Sequence, residues 1–249
     1  ISLLSGHIGG ANKLAQYVAK IIDAIAVVTT SSDNHGVEAV DMLAKRLGLG
    51  ISDLEDAKLI TALMLNGNKI GVICDCDGLR EFLQDYRLTF WDTFESENFD
   101  GIIYLGNLKK FPKDINIPFV KLAAKNIVLG VGCRKGISAE YFERVVDEFL
   151  DKNNVDKLSV KGIATVEIKR DEKAICRLAE KRGWELDFIS LDEIKKVQHL
   201  FSISEFVEKT LGVGGVCQPC AYIVSNMGRC ISPKKTASGI ALCIYECMC

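Results

Sequence analysis

Residues 3–12 read Leu3-Leu4-Ser5-Gly6-His7-Ile8-Gly9-Gly10-Ala11-Asn12, and this stretch sets the fold class. An apolar run stops at Ser5, and three glycines and a histidine follow. Ala11, Leu14, Ala15, Val18, Ala19 and Ile22 then recur on one face of a helix spanning Ala11 to Ile22. A strand, a glycine turn and a helix start in succession form a backbone cradle. Glycine lets the chain approach a ligand closely, and the first N–H groups of a helix have no partner within it. His7 is the side chain of this turn that changes charge near neutral pH. A tight strand-to-helix turn with a surface histidine accounts for the same residues, and the motif alone does not separate the two readings.

Working outward, Ala24 to Thr30 (AIAVVTT) is a short continuous apolar run, as a buried parallel strand requires. Thr29, Thr30, Ser31, Ser32 and Asp33 lie at its carboxyl end, where open α/β sheets bind ligands. Asp33 has two roles open to it. It can face the same crevice as the glycine turn, or Asp33 or Asn34 can cap a helix carrying Val37, Val40, Met42, Leu43 and Leu47 and ending at Gly48. Ile51 to Leu65 reads as a further helix, closed by Asn66-Gly67-Asn68.

Lys69 to Cys74 opens a new unit, followed by a helical patch from Leu79 to Tyr86 and strands at Asp100–Gly106 and Pro118–Leu122. Few residue types of catalytic use occur here, and the segment reads as a scaffold or lid. Asn126 to Gly136 repeats the opening theme: a strand ends in glycines, and Ser138 caps a helix from Ala139 to Leu150. Its G-x-G-C-R-x-G pattern differs from the dinucleotide fingerprint by one position in spacing. The basic pair inside the turn, and the lack of an acidic residue ending a clear second strand about 20 residues on, weigh against a nucleotide. The pattern predicts an α/β protein of parallel-sheet domains flanked by helices. Its expected parts are an amino-terminal domain (1–68), a small middle domain (69–124) and a carboxyl-terminal domain (125–249).

Composition bounds the function. The 249 residues suffice for two domains or three small ones. Hydrophobic residues at 48% and charged residues at 26% fit a soluble globular protein. A formal net charge of −2 leaves no basic footprint, which argues against nucleic acid as a partner. No apolar run approaches the ~20 residues of a membrane span, so no membrane is expected. The chain opens on Ile1 rather than Met, so further native sequence is expected upstream, and with it the rest of a truncated first domain.

The ten cysteines include Cys74-x-Cys76, Cys217-x-x-Cys220 and Cys247-x-Cys249, with Cys133, Cys176, Cys230 and Cys243 single. A zinc site wants two such pairs, or one pair with histidines close by, and neither His35 nor His199 is so placed. No metal site is predicted. Cys217-Gln218-Pro219-Cys220 has thioredoxin-like spacing, but glycines at 212–215 precede it rather than a strand. Most of the cysteines read as small buried apolar residues, with disulfides left open.

The motifs together carry a resemblance. LLSGHIGGANKLA, followed by Val28-Thr29-Thr30 and Asp33, resembles the signature of the cobalt-precorrin-5A hydrolase family (CbiG) of anaerobic cobalamin biosynthesis, SGH-x-GGAN-x-LA and then VTT-x-x-D. GVGCRKG resembles the start of that family's carboxyl-terminal domain, which is shared with a small stand-alone protein of aerobic corrin synthesis. Ile163-Ala164-Thr165 leading to Lys169-Arg170-Asp171-Glu172, then Ser204-Glu205-Phe206-Val207 and Gly212-Val213, continue the match. Gln218 stands where the family usually has a glutamate.

The resemblance implies a substrate: a cobalt corrinoid ringed by acetate and propionate groups, one acetate closed as a δ-lactone. Opening it needs an activated water and stabilisation of the oxyanion, after which acetaldehyde leaves. His7 is then the candidate general base or acid, with Asp33 as the other group able to hold the water. Ser5 and Gly6 belong to the cradle, the N–H groups of Gly9 and Gly10 suit an oxyanion hole, and Asn12, Thr29 and Thr30 orient water or substrate. Arg134, Lys169 and Lys234 are expected to meet substrate carboxylates in an inter-domain groove. The cobalt is carried by the substrate, no protein cofactor is implied, and the site of action is cytoplasmic. Oligomeric state is not indicated. A non-catalytic corrinoid carrier and a nucleotide-binding module built on Gly130–Gly136 are the competing readings.

Overall fold

The computed structural model describes residues 10–24, 38–80, 83, 98–112 and 114–247. The chain divides into two compact units. The first takes in residues up to Asp75, Leu79–Leu105 and Asp114–Leu122; the second takes in Cys76–Gly78, Gly106–Lys113 and the chain from Ala123 onward.

In the first unit, helix α1 covers Gly10–Ile21, one residue earlier at each end than its periodicity indicates. Helix α2 is Val40–Arg46, strand β1 Gly50–Ile51, helix α3 Leu54–Leu65, strand β2 Ile70–Cys74, strand β3 Gly101–Gly106 and strand β4 Phe119–Ala123. These strands form one sheet in the order β1-β4-β3-β2, with β2 and β3 parallel. The elements α2, β1 and α3, which precede residue 69, thus share a unit with the strands that follow it.

Two helix starts differ from expectation. Helix α2 starts at Val40, with Ala39 as an N-cap that offers no side-chain bond; the expected caps Asp33 and Asn34, and Val37, lie outside the described residues. Ile51 lies in a strand, and α3 starts three residues later because the Asp53 carboxylate accepts the backbone N–H of Glu55 and Asp56. Those bonds satisfy donors that the first helical turn leaves free. In this unit Val40, Leu43 and Ile60 of the helices and Val72, Ile73 and Ile102 of the strands are buried.

The second unit holds strand β5 (Ile127–Cys133), helix α4 (Ala139–Lys152), strand β6 (Val160–Val166), helix α5 (Lys173–Arg182) and strand β7 (Glu185–Ile189). Helices α6 (Leu191–Val197), α7 (Glu205–Leu211) and α8 (Cys217–Val224) follow, then strands β8 (Arg229–Ala237) and β9 (Ile240–Glu246). The sheet order is β7-β6-β5-β9-β8. The α/β class holds, with one refinement: β5, β6 and β7 pair in parallel, whereas β9 runs antiparallel to both β5 and β8, so this sheet is mixed. Ser238 (φ 49°) and Gly239 (φ 84°) make the two-residue turn of the β8–β9 hairpin, a backbone that this chirality of turn requires.

Strand alternation divides the core into two layers. Ile127, Leu129 and Val131 point to one face, where they pack with Phe142, Val146 and Phe149 of α4 and Ile175 and Leu178 of α5. Val128 points to the other face, with Ala164, Val166, Cys217, Cys220, Ala221 and Cys243. Period-2 patterning with helices on both faces is what a strand buried on both sides produces. Gly130 belongs to the second face for a steric reason. A Cβ there would stand 2.2 Å from the Cys217 carbonyl and 2.4 Å from Cys243 Sγ, so its absence lets α8 lie against β5. Ser138 caps α4 as its position implies, its hydroxyl accepting the Tyr141 N–H at 3.2 Å.

Candidate cation-lined cavity

The ladder between β5 and β6 stops at Gly130–Ala164, although β5 runs on to Cys133 and β6 to Val166. One side-chain rung extends it, from the buried Thr165 hydroxyl to the Val131 carbonyl at 2.8 Å. Beyond that rung the carboxyl ends of the two parallel strands flank a cavity of about 720 Å³. β5 is also where strand direction switches, with parallel β6 on one side and antiparallel β9 on the other. In open α/β sheets ligands bind outside the carboxyl ends of the strands, which is where this cavity lies.

All residues around this cavity belong to the second unit. Gly132, Cys133, Arg134 and Lys135 come from the end of β5, and Val166, Ile168 and Lys169 from the end of β6. Lys234 and Thr236 come from β8, Ile240 and Ala241 from β9, and Phe206, Val207 and Leu211 from α7. Val216 and Cys217 close the floor at the start of α8. Four lining residues are cations and, among the described residues lining it, none is acidic. A local charge of this sign contrasts with a chain whose net charge is −2.

The cations are held in different ways. Lys169 lies 3.5 Å from Glu172, and both side chains are largely covered, at 16% and 6% exposure. The same Glu172 carboxylate accepts the Gly136 N–H at 3.2 Å to each oxygen. One buried acid thus joins the turn after β5 to the turn after β6 and fixes the base of Lys169's approach. Arg134 lies along Gly239, where a Cβ would come within 2.8 Å of its Cδ; its backbone N–H donates to the Gly239 carbonyl at 2.9 Å. Arg134, Lys135 and Lys234 form no ion pair among the described residues. Their charge is available to an anion.

Burial pushes the Cys133 thiol up to about 11, with Lys169 partly offsetting and Glu172 adding to the shift. Burial, and then the neighbouring Cys243 at an Sγ–Sγ distance of 3.2 Å, raises Cys217 well above the ordinary thiol range. These thiols are protonated wall and floor, not thiolate nucleophiles. Of the nine described cysteines, five, Cys74, Cys76, Cys217, Cys220 and Cys243, are buried, and Cys133, Cys176, Cys217, Cys220, Cys230 and Cys243 form no disulfide. Cys217 does open α8, but it follows a glycine-rich loop and packs against β5 and β9. No group of histidine, cysteine or acidic side chains fit to hold a metal occurs among the described residues. No described helix is long and apolar enough to cross a membrane.

Three of the residues read from sequence, Arg134, Lys169 and Lys234, therefore line one cavity, and every residue lining it belongs to the second unit. His7, Asp33, Ser5, Gly6, Gly9, Thr29 and Thr30 lie outside the described residues. Gly10 and Asn12 lie in the first turn of α1. Sequence reasoning passed over Lys135, Ile168 and Phe206. Lys135 adjoins Arg134 in the glycine turn, and Phe206 sits inside the Ser204–Val207 match, so both carried a local signal.

Comparison with known proteins places the chain. Three family models match it: the amino-terminal model of cobalamin synthesis G over residues 1–33, the central region of cobalamin biosynthesis over 38–122, and the carboxyl-terminal model of cobalamin synthesis G over 127–245. A cobalt-precorrin-5A hydrolase of Salmonella typhimurium is 30% identical over 246 residues, covering 97% of this chain and 70% of that protein. The chain belongs to the cobalamin synthesis G (CbiG) family. Another CbiG relative, the cobalt-precorrin-5A hydrolase of Priestia megaterium, is 29% identical over 254 residues, 98% of this chain and 67% of the relative. Among solved structures, a cobalamin biosynthesis protein G homologue of Sulfolobus solfataricus aligns over 99% of this chain and 70% of its own, at 19% identity and a TM-score of 0.41. The cavity lies within the span of the carboxyl-terminal CbiG model, residues 127–245.

Proposed function

We propose that this chain acts as a cobalt-precorrin-5A hydrolase of cobalamin biosynthesis, opening the δ-lactone of cobalt-precorrin-5A and releasing acetaldehyde to give cobalt-precorrin-5B. The observation that carries this reading is the 30% identity to a relative of that name across 97% of the chain. In this reading the cobalt arrives with the substrate, and the protein supplies binding, a proton acceptor and hydrogen-bond donors. His7 is the general base that activates water, with Asp33 as the alternative holder of that water. The N–H groups of Gly9 and Gly10 receive the developing oxyanion, and Ser5, Gly6, Asn12, Thr29 and Thr30 orient the reacting groups. Arg134, Lys169 and Lys234 bind the substrate's carboxylates. Their convergence in a cavity without acidic lining supports that role.

Single-turnover acetaldehyde formation from cobalt-precorrin-5A tests the proposal. A positioned base typically supplies about 10²–10⁴-fold in rate, so His7→Gln is expected to slow release by that factor while corrinoid binding changes no more than a few-fold. Wild-type activity is expected to fall as the pH drops through the histidine range, because protonation removes the base. A normal His7→Gln rate beside an inactive Asp33→Asn variant moves the base to Asp33. Normal rates in both variants take the glycine cradle out of the chemistry. A wild-type chain that binds the corrinoid but yields no acetaldehyde refutes the hydrolase reading and leaves a carrier.

A further inference from the structure

The cavity has a second wall that the cations and the lactone chemistry leave unused. Residues 204–214 leave and rejoin the fold at almost one point. The Ser204 N–H donates to the Gly214 carbonyl at 2.7 Å, and the Gly214 N–H donates to the Gln198 Oε1 at 3.0 Å. A Cβ on Gly214 would stand 3.0 Å from Ile203 Cγ1, so the two ends of the segment press together. Between these tied ends α7 has no buried residue, Ser204 gives it no side-chain cap, and Gly212 ends it at φ 70°. The result is a one-helix flap on a closed base: Val213 anchors its return in the core, Val207 and Leu211 lie half-buried against that core, and the rest of the helix makes no buried contact. Segments with few buried contacts open at low cost.

Phe206 lines the cavity from this flap and is 78% exposed; Ile168, from the end of β6, lines it and is 55% exposed. Large apolar side chains left in water around a cavity gain from covering a ligand. The same cavity holds four cations and, among its described lining residues, no acid. A small anion would meet the cations but gain nothing from Phe206 and Ile168. An uncharged apolar ligand would cover the apolar wall but strip water from unpaired cations. A ring with apolar faces and a carboxylate rim satisfies both walls.

We propose that the Ser204–Gly214 flap closes on the bound corrinoid, with Phe206 covering a face of the ring while Arg134, Lys169 and Lys234 hold its carboxylates. This inference rests on the corrinoid reading of the cavity given above. The carboxylates bring the ring in at the strand ends, and flap closure slows its escape.

Cobyrinic acid, a cobalt corrin bearing free carboxylates, is a suitable probe with the full chain. Phe206→Ala is expected to weaken binding on the order of ten-fold, chiefly through faster dissociation, because the contact is lost after docking. The dependence of affinity on salt is expected to stay as in the wild type. Phe206→Trp is expected to keep the affinity, and its added fluorescence to be quenched as the probe saturates the site. Phe206 is exposed, so neither variant puts the fold at risk. Wild-type affinity and dissociation rate in Phe206→Ala, or unchanged tryptophan emission at saturation in Phe206→Trp, overturn the flap and leave the cavity as the corrinoid site. Failure of the wild-type chain to bind cobyrinic acid overturns both the flap and the corrinoid reading of the cavity.

Discussion

The two sheets finish their parallel strands in opposite ways. In the first unit the carboxyl ends of β2 and β3 are closed by their own groups. The Asp75 N–H donates to the Leu105 carbonyl at 3.1 Å, the Tyr104 hydroxyl donates to the Asp75 carboxylate, and Arg80 donates to the Cys74 carbonyl at 3.2 Å. In the second unit the β5–β6 ladder stops early, and the strand ends open on a cavity ringed by cations. Parallel pairing is common to both. What differs is whether the loops at the strand ends satisfy one another or leave charge available. An arginine bonded to a backbone carbonyl is structural, whereas three cations outside any described ion pair attract an anion.

That contrast breaks first at glycine. Gly130→Ala puts a Cβ against the Cys217 carbonyl and Cys243 Sγ, so β5 and α8 must move apart. Overpacking against backbone is expected to cost about 3 kcal/mol, read by chemical denaturation. Gly71→Ala in β2 meets the Phe99 ring at 3.1 Å, a neighbour that can tilt, and is expected to cost under about 1 kcal/mol. Equal costs at the two sites would remove the special closeness of α8 and β5.

Thiol chemistry comes next. Burial holds Cys133 at about 11 against its ordinary 9.0, so its alkylation by iodoacetamide at pH 8 should lag the unfolded chain by on the order of ten-fold or more. The sign for stability follows from the raised value. Below pH 9.0 the thiol is protonated in both states and the contribution is fully present; it is lost as pH rises through about 11. A Cys133 as reactive as an unfolded thiol would contradict a buried, neutral wall.

The cations are expected to set the two units apart in anion binding. Arg134→Gln with Lys234→Gln is expected to weaken cobyrinic acid binding roughly ten-fold at low ionic strength, with the gap closing as salt screens it. Arg80→Gln, in the first unit, should leave that binding unchanged. Unaltered affinity at every salt concentration in the double variant would reduce Arg134 and Lys234 to surface charges. The smallest effect is expected at Gly136, which sits in open space at φ 73°. Gly136→Ala costs only the strain of a left-handed backbone, about 1 kcal/mol in denaturation and little in binding.

Much of the second unit is legible along the chain. The apolar run before Gly130, the glycine turn and Ser138 locate β5 and α4 to within two residues, because a strand buried on both faces and a capped helix are local patterns. β6 and β7 are less legible. Val160–Val166 carries a lysine and a glycine, and Glu185–Ile189 starts on an acid, so neither shows a clean period. The Ser238-Gly239 turn did carry a hairpin signal, and with it the antiparallel direction of β9. Asp53 likewise marked the start of α3 against the longer helix that Ile51 suggested.

The amino-acid sequence by itself determined the α/β class, the glycine turn after β5 and the family, since each is written in contiguous residues. It also identified Arg134, Lys169 and Lys234 as cations worth watching, though any lysine or arginine is solvated by default. Only the tertiary structure decided that these three share a cavity, that Glu172 ties Lys169 to the Gly136 turn, and that Phe206 stands beside them. The physical reason is that strand pairing sets those neighbours. β5, β6, β8 and β9 are brought together by hydrogen bonds and burial between distant segments, and no local periodicity records which strand lies next to which.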